Sequence, residues 1–304
     1  MTIEVFTEHR SLLVGVAYRV LGSAADAEDV VQEAWLRWAE VDAASVADPK
    51  AYLVRVTTNL AIDRLRRVRA RREAYVGPWL PEPVVTAPDS AEPAERADSV
   101  ELALLVVLET LSPLERAVFV LREAFGFSHA EIAEILGRGE PAVRQLARRA
   151  RDHVRERRPR FDVDRRERRT ITERFVAACA EGDIEALTAL LAADVRMVGD
   201  GGGKVRAPLR ELAGVASVAR FLLAIAGPEG RRRFLDSLGA PPGGEMDLEI
   251  AEVNGGPAIV ARLEGRPVTV ISLMISDGLI HTVYLIANPD KMSRMAGPNA
   301  SGSA

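Results

Sequence analysis

Apolar positions recur three and four residues apart from Phe6 to about Arg72. They run through Leu12, Leu13, Val16 and Ala17, then Val30, Val31, Ala34 and Trp35, then Leu53, Val56 and Leu60. Such spacing lays one apolar stripe along each helix, so this stretch predicts three or four packed helices. From Glu73 to about Ser99 the period dissolves into Pro, Glu and Ala, the composition of a linker. The helical period returns between Val100 and about Arg158. Two capping boxes mark helix starts there: Ser112 with Pro113 and Glu115, and Ser128 with Glu131.

Beyond Arg165 the pattern becomes mixed. Arg166 to Ala180 and Ile184 to Leu191 predict a helical pair broken at Gly182-Asp183, and Val215 to Ala226 predicts another helix. Asp247 to Val253, Ala258 to Leu263, Val268 to Ile275 and Leu279 to Ile286 are β-rich. Asn254-Gly255-Gly256-Pro257, Glu264-Gly265-Arg266-Pro267 and Ser276-Asp277-Gly278 separate them as turns. The expectation is an antiparallel meander preceded by helices, an α+β domain. The fold class is therefore multidomain, two all-α domains followed by an α+β domain. The boundaries fall at 1–72, a linker 73–99, 100–160, 165–292, and a flexible tail 293–304.

A length of 304 residues accommodates two or three such cores. The formal net charge of -4 excludes a uniformly cationic coat, so nucleic-acid binding must come from local basic clusters. A single cysteine, Cys179 in the apolar-rich run Phe175 to Ala180, excludes a disulfide framework and a Cys-based zinc site. No cofactor and no metal site is expected. The polar start and the lack of an apolar run of ~20 residues point to a cytoplasmic chain without a membrane partner.

Two basic clusters stand out. Arg64, Arg66, Arg67, Arg69, Arg71 and Arg72 follow Thr57, Thr58, Asn59 and Asp63 at one helix end, and clustered guanidinium groups neutralise phosphates. A solvated helix end complementing its own dipole explains this run equally well. The second cluster has geometry. Ser128 to Leu136 is a short capped helix, Gly137-Arg138-Gly139 turns, and a longer helix starts near Glu140 and Pro141, as in a helix-turn-helix. Arg144, Arg148, Arg151 and Arg155 share one face of that helix, opposite Val143, Leu146, Ala147, Ala150 and Val154. Arg144, Gln145 and Arg148 are placed for base edges, and Arg149, Arg155 and Arg157 for phosphates. An ordinary helical hairpin is the alternative.

These residues resemble a known family. Asp26-Ala-Glu-Asp29-Val-Val-Gln32-Glu33-Ala-Trp35-Leu-Arg37, with Pro49-Lys-Ala-Tyr52-Leu and Asn59-Leu-Ala-Ile-Asp63-Arg64-Leu-Arg66, looks like region 2 of extracytoplasmic-function sigma factors. Leu111-Ser-Pro-Leu-Glu115-Arg116-Ala-Val-Phe119 through Arg144-Gln145-Leu-Ala-Arg148-Arg149-Ala-Arg151 looks like region 4. The resemblance implies that RNA polymerase core and promoter DNA are the partners, with contacts to the β′ clamp helices and the β flap. It implies that Asp29, Gln32 and Glu33 face the clamp helices, although an exposed acidic helix face would look the same. It places Ser45, Asn59, Asp63, Arg64, Arg66 and Arg67 at the -10 element, where a base is flipped and captured. Val41 to Pro49 carries no aromatic platform for that base. Arg144, Gln145, Arg148, Arg149 and Arg151 would read the -35 element, and Gly139 stands where the family often has a Ser cap.

Three further strings resemble sigma factors with a SnoaL-like C-terminal extension, including the actinobacterial SigJ-like group. They are Tyr75-Val-Gly77-Pro78-Trp79-Leu80-Pro81-Glu82-Pro83, Asp200-Gly201-Gly202-Gly203-Lys204 and Asn288-Pro289-Asp290-Lys291. The resemblance implies an NTF2-like cone for about Arg165 to Met292, regulating activity from within the chain. Asp200 to Lys204 reads as a flexible tip able to meet another surface, or as a plain β-turn. Trp79 reads as an anchor in an interdomain groove or a plug over region 2. The expected intramolecular contact joins the C-terminal domain to region 2 and the linker, through Trp79, Leu80, Pro81, Asp200 to Lys204 and Asn288 to Lys291.

Two other functions compete. An unknown small-molecule ligand in the cone is compatible with the fold, and catalysis there would need an acid or base such as His281, Tyr284 or Asp194, none of which forms a motif. The chain is not expected to be an enzyme. A regulator binding duplex DNA through Ser128 to Arg155 alone would not need Asp26 to Arg72.

Overall fold

The structure, a computed structural model, describes residues 2–72, 74–86, 101–157, 164–240, 244–292 and 295. The rest of the expected linker (87–99), most of the expected tail, and the side chains of Arg71, Arg72 and Arg157 lie outside the described residues. The chain divides into two compact units, one formed by residues 2–72 with 101–157 and the other by 74–86 with 164–295.

The first unit is helical. It comprises α1 (Thr2–Leu21), α2 (Ala24–Ala39), a 3-10 turn (Ala43–Ser45), α3 (Pro49–Arg72), α4 (Leu102–Leu108), α5 (Pro113–Phe119) with a π-turn over Val120–Ala124, α6 (His129–Leu136) and α7 (Glu140–Arg157). Helix starts are set by side chains that satisfy otherwise unpaired amides. Ser23 accepts from the Asp26 amide, and both capping boxes read in the sequence form, at Ser112 with Glu115 and Ser128 with Glu131. Trp38, Leu13, Leu21, Leu53 and Leu65 are fully buried in the first three helices, and the Trp38 indole donates to the Thr2 carbonyl at 2.9 Å. Each such side chain contributes about 1.5–3 kcal/mol of burial. Helix α3 also packs on α5 and α6, so both helical groups share this unit.

The second unit has helices α8 (Arg165–Glu181), α9 (Ile184–Leu190), α10 (Val215–Ala226) and α11 (Pro228–Ser237). Its six strands are β1 (Leu191–Asp200), β2 (Leu212–Ala213), β3 (Met246–Val253), β4 (Gly256–Leu263), β5 (Arg266–Ser276) and β6 (Leu279–Ile286), ending in a 3-10 turn at Pro289–Lys291. Strands β3 to β6 form the expected meander. The sheet order is β2-β1-β6-β5-β4-β3, and β1 runs parallel to β6, so the sheet is mixed rather than purely antiparallel. Tight turns join the meander because Asn254-Gly255, Glu264-Gly265 and Asp277-Gly278 all take positive φ, the conformation that two-residue hairpin loops require. Ile171 and Phe175 of α8, Leu187 and Leu190 of α9, and Val218 and Leu222 of α10 pack with Val195, Met197, Ile259, Leu273 and Val283 of the sheet.

Candidate nucleic-acid interface and linker clamp

The helix-turn-helix is built as its sequence dictates. Helix α6 ends at Gly137, whose left-handed backbone (φ 60°, ψ 42°) suits glycine and turns the chain toward α7. Val143, Ala147, Ala150 and Val154 of α7 are buried, and Arg144, Gln145 and Arg148 are exposed on the other side. Arg144 pairs with Glu140 at 2.6 Å, and Arg148 approaches Asp152 only at 3.8 Å. Arg149 and Arg151 reach back to Glu115 (3.9 Å) and Glu123 (2.8 Å). Exposed pairs of this kind contribute at most ~1 kcal/mol, so they hold these guanidinium groups only weakly.

On α3 the predicted -10 residues divide. Arg66 pairs with Asp63 at 3.0 Å and Arg67 donates to the Asp63 carbonyl, both exposed. The Arg64 guanidinium instead ties α3 to α2 through Asp26 (2.7 Å) and Asp29 (2.9 Å), and its hydrogen bond to Asp26 raises its pKa. Arg64 and Asp29, assigned separate partners in the sequence reading, are thus partners of one another. The Asn59 amide donates to the Ile135 carbonyl at the end of α6, 3.2 Å away. Ser45 closes the 3-10 turn, its hydroxyl donating to the Asp42 carbonyl at 2.7 Å. A buried latch the sequence did not reveal supports this packing. The Arg116 guanidinium donates to the Arg19 carbonyl at 2.8 Å and pairs with the Glu109 carboxylate, while Arg69 donates to the Glu109 carbonyl at 3.0 Å.

On α2, Gln32 and Glu33 are exposed, and Glu33 pairs with Arg37 at 2.8 Å. Leu36, one turn further along, is 59% exposed. It adds an apolar side chain to the acidic face, and a helical wheel would have found it as a leucine off the buried stripe.

In the second unit the three remaining strings meet at one carboxylate. Asp200, at the end of β1, is fully buried rather than a flexible tip. Its side chain accepts from the Tyr75 hydroxyl (2.5 Å), the Leu80 amide (2.8 Å), the Gly202 amide (3.1 Å) and the Lys291 ammonium (2.6 Å). A buried carboxylate survives only with such pairing, and the sheet end supplies the rest, since the Ala287 and Asn288 amides donate to the Asp200 carbonyl. Lys291 also donates to the Leu80 carbonyl and lies 3.9 Å from the Trp79 ring centre, a cation-π contact. Asn288 donates to the Tyr75 hydroxyl at 2.8 Å and accepts from the Asp290 amide, and Lys204 pairs with Asp290 at 2.7 Å. Burial, and then the Asp200 carboxylate, push the Tyr75 phenol well above its ordinary range. The glycines are explained by proximity: a Cβ on Gly202 would lie 2.5 Å from the Asn288 side chain, and one on Gly203 2.9 Å from Val76.

Leu80, Pro81, Glu82 and Pro83 are buried beyond this clamp. The strap then joins the sheet edge, where the Thr86 amide donates to the Glu252 carbonyl (2.9 Å), the Asn254 amide donates to the Val84 carbonyl (2.8 Å), and Val85 bridges Val253. Residues 75–86, placed within the linker by the sequence, form a strap on the C-terminal domain. Trp79 anchors within that domain.

His281 and Asp194 approach at 3.3 Å with Asp194 largely exposed, and neither they nor Tyr284 line the domain's cavity. Among the described residues no cluster of three metal-ligating side chains occurs, and no helix is long and apolar enough to cross a membrane.

Residues 5–72 match the family Sigma-70 region 2, and residues 101–154 match Sigma-70, region 4. ECF RNA polymerase sigma factor SigJ of Mycobacterium tuberculosis (strain ATCC 25618 / H37Rv) is 38% identical over 312 residues, covering 99% of this chain and 98% of SigJ. Probable ECF RNA polymerase sigma factor SigI of the same species (strain CDC 1551 / Oshkosh) is 31% identical over 97% of this chain and 96% of SigI. The crystal structure of the M. tuberculosis extracytoplasmic function sigma factor SigJ is similar with a TM-score of 0.74 at 37% identity, covering 97% of this chain and 99% of that one.

Proposed function

This chain belongs to the extracytoplasmic-function RNA polymerase sigma factors, and on that premise we propose how its parts divide the work of transcription initiation. Gln32 and Glu33, with exposed Leu36 beside them and Asp29 one turn before, form the face for polymerase core. Ser45, Asn59, Asp63, Arg66 and Arg67 serve the -10 element, with Arg64 holding α3 against α2 beneath them. Arg144, Gln145 and Arg148 read the -35 element, and Arg149 and Arg151 leave their carboxylate partners for phosphates.

The C-terminal domain acts in cis by holding the linker. The observation that carries this reading is the buried Asp200 carboxylate gathering Tyr75, Leu80 and Lys291. A chain spans at most about 3.3–3.6 Å per residue, so fixing residues 75–86 leaves residues 87–100, roughly 50 Å, to reach between the two DNA-binding groups. Releasing the strap lengthens that reach by nearly half of the linker. The Asn59 amide is meanwhile occupied by the Ile135 carbonyl, so -10 capture requires the helical groups to part. The clamp thus restrains initiation.

The test is site-specific crosslinking from position 33 to purified polymerase core, with footprinting of the resulting holoenzyme on promoter DNA. Core crosslinking and protection at both elements support the assignment. Duplex protection by the chain without core, through α7 alone, would replace it with a stand-alone DNA-binding regulator.

A further inference from the structure

The α+β domain encloses a cavity of about 690 Å³, within the size range of small-molecule sites. Its floor is the sheet face bearing Ile259, Ile271 and Leu285, and its walls include Phe175 of α8 and Phe221 of α10. Strand register places Leu248, Ala261 and Thr269 in the neighbouring row of the same face. Leu248, on the edge strand β3, is 54% exposed, whereas Ala261 and Thr269 of the same row are buried.

Two features in this apolar space call for a polar ligand group. Thr269 is only 7% exposed and its hydroxyl has no hydrogen-bond partner, although buried polar groups are nearly always paired. The exposed side chains of Arg206 and Arg231 also line the cavity, and among the described residues neither has a carboxylate partner, whereas Arg233 beside them is taken by Glu229. Asp247 is the one carboxylate in the lining. The excess charge at the rim is positive.

We propose that this cavity binds an amphipathic carboxylic acid, its apolar body against Ile259, Ile271, Leu285 and Phe175 and its oxygens taken by Thr269 and the Arg206 and Arg231 guanidinium groups. Binding is non-covalent. The Cys179 thiol in the wall is pushed up to about 12 by burial and stays protonated, so it is no nucleophile at neutral pH.

The experiment is calorimetric titration of the full chain, without polymerase, with decanoate, laurate and palmitate and with the alcohol of each chain length. Because neither core nor DNA is present, its outcome is independent of the sigma-factor assignment. At least one acid should bind at one site per chain, and its alcohol about ten- to a hundredfold more weakly, the loss expected for one hydrogen bond to a charged group. Thr269→Val keeps the shape and should weaken the acid by a similar factor. R206A/R231A should reduce the acid to the affinity of the alcohol, and Ala261→Leu should abolish binding by filling the space. Thermal melts establish that each variant is folded, and Thr269→Val, nearly isosteric, keeps the test valid if Ala261→Leu is not. Failure of all three acids to bind, or equal affinity for acid and alcohol in the wild-type chain, would overturn the proposal. So would binding indifferent to Thr269→Val and to R206A/R231A.

Discussion

Replacing Asp200 with alanine tests the strap where its interactions converge. The wild-type carboxylate is fully buried and has four side-chain hydrogen bonds, one of them an ion pair with Lys291, whose side chain is itself 10% exposed. Alanine leaves that ammonium with the Leu80 carbonyl and the Trp79 ring, and an ammonium stranded inside a protein is disfavoured. Removing one partner of a buried pair costs about 3–5 kcal/mol. At about 1.4 kcal/mol per decade, strap release should become between a hundredfold and several thousandfold more favourable. Amide hydrogen exchange on the full chain reads this directly. The Leu80 amide, bonded to Asp200, and the Thr86 amide, bonded to the Glu252 carbonyl, should exchange faster by that factor, while amides within β5 and β6 keep their rates. The double variant D200L/K291M removes both charges and should regain most of the protection, since buried pairs are often replaceable by apolar residues. Unchanged exchange at Leu80 and Thr86 in D200A would refute the clamp.

Three other outcomes are expected. The Tyr75 phenol is raised in the folded chain, so its contribution is fully present below the ordinary tyrosine value near pH 10 and is lost as pH rises through the folded value. Stability measured by urea unfolding should therefore decline above about pH 10 less steeply in Tyr75→Phe than in the wild type. Cys179, the sole cysteine, should react with a disulfide reagent at pH 8 about a thousandfold more slowly in the folded chain than in urea, the ratio of thiolate populations for a group raised from 9.0 to about 12; equal rates would contradict its burial. Arg148→Ala should weaken promoter binding by holoenzyme and lower the slope of log affinity against log salt by about one if the guanidinium meets a phosphate. Loss of discrimination at one -35 base pair with the slope retained would assign it to a base edge instead.

Much of the helical half was legible because its signals are local. Ser112 with Glu115 and Ser128 with Glu131 fix helix starts within four residues, and Gly137 fixes a turn. The β3 to β6 meander was legible for the same reason, since the glycine-containing turns that join its strands each require positive φ. What failed depends on distant partners. Strand β1, Leu-Ala-Ala-Asp-Val-Arg-Met-Val-Gly-Asp, breaks the period-2 alternation and pairs parallel to β6, Arg196 meeting Thr282, with a register irregularity after Leu191, so no turn announces it. Helix α11 hides behind Gly230 and Arg231 to Arg233, with few apolar residues to show a period. Asp200 followed by three glycines looks like a solvated loop, because burial of its carboxylate depends on Lys291, 91 residues away, and on a strap 120 residues earlier. Composition marked residues 75–86 as non-helical and could not distinguish free linker from docked strap. The three strings were singled out by resemblance, and their convergence on one carboxylate is a tertiary fact.

Promoter-dependent transcription with purified polymerase core shows whether the strap controls initiation, comparing the full chain, D200A, and a chain ending near residue 160. Core-dependent initiation by all three is expected, with D200A and the truncated chain exceeding the full chain. No initiation from any of them would contradict the sigma-factor mechanism, and equal initiation by the full chain and D200A would contradict control through the strap.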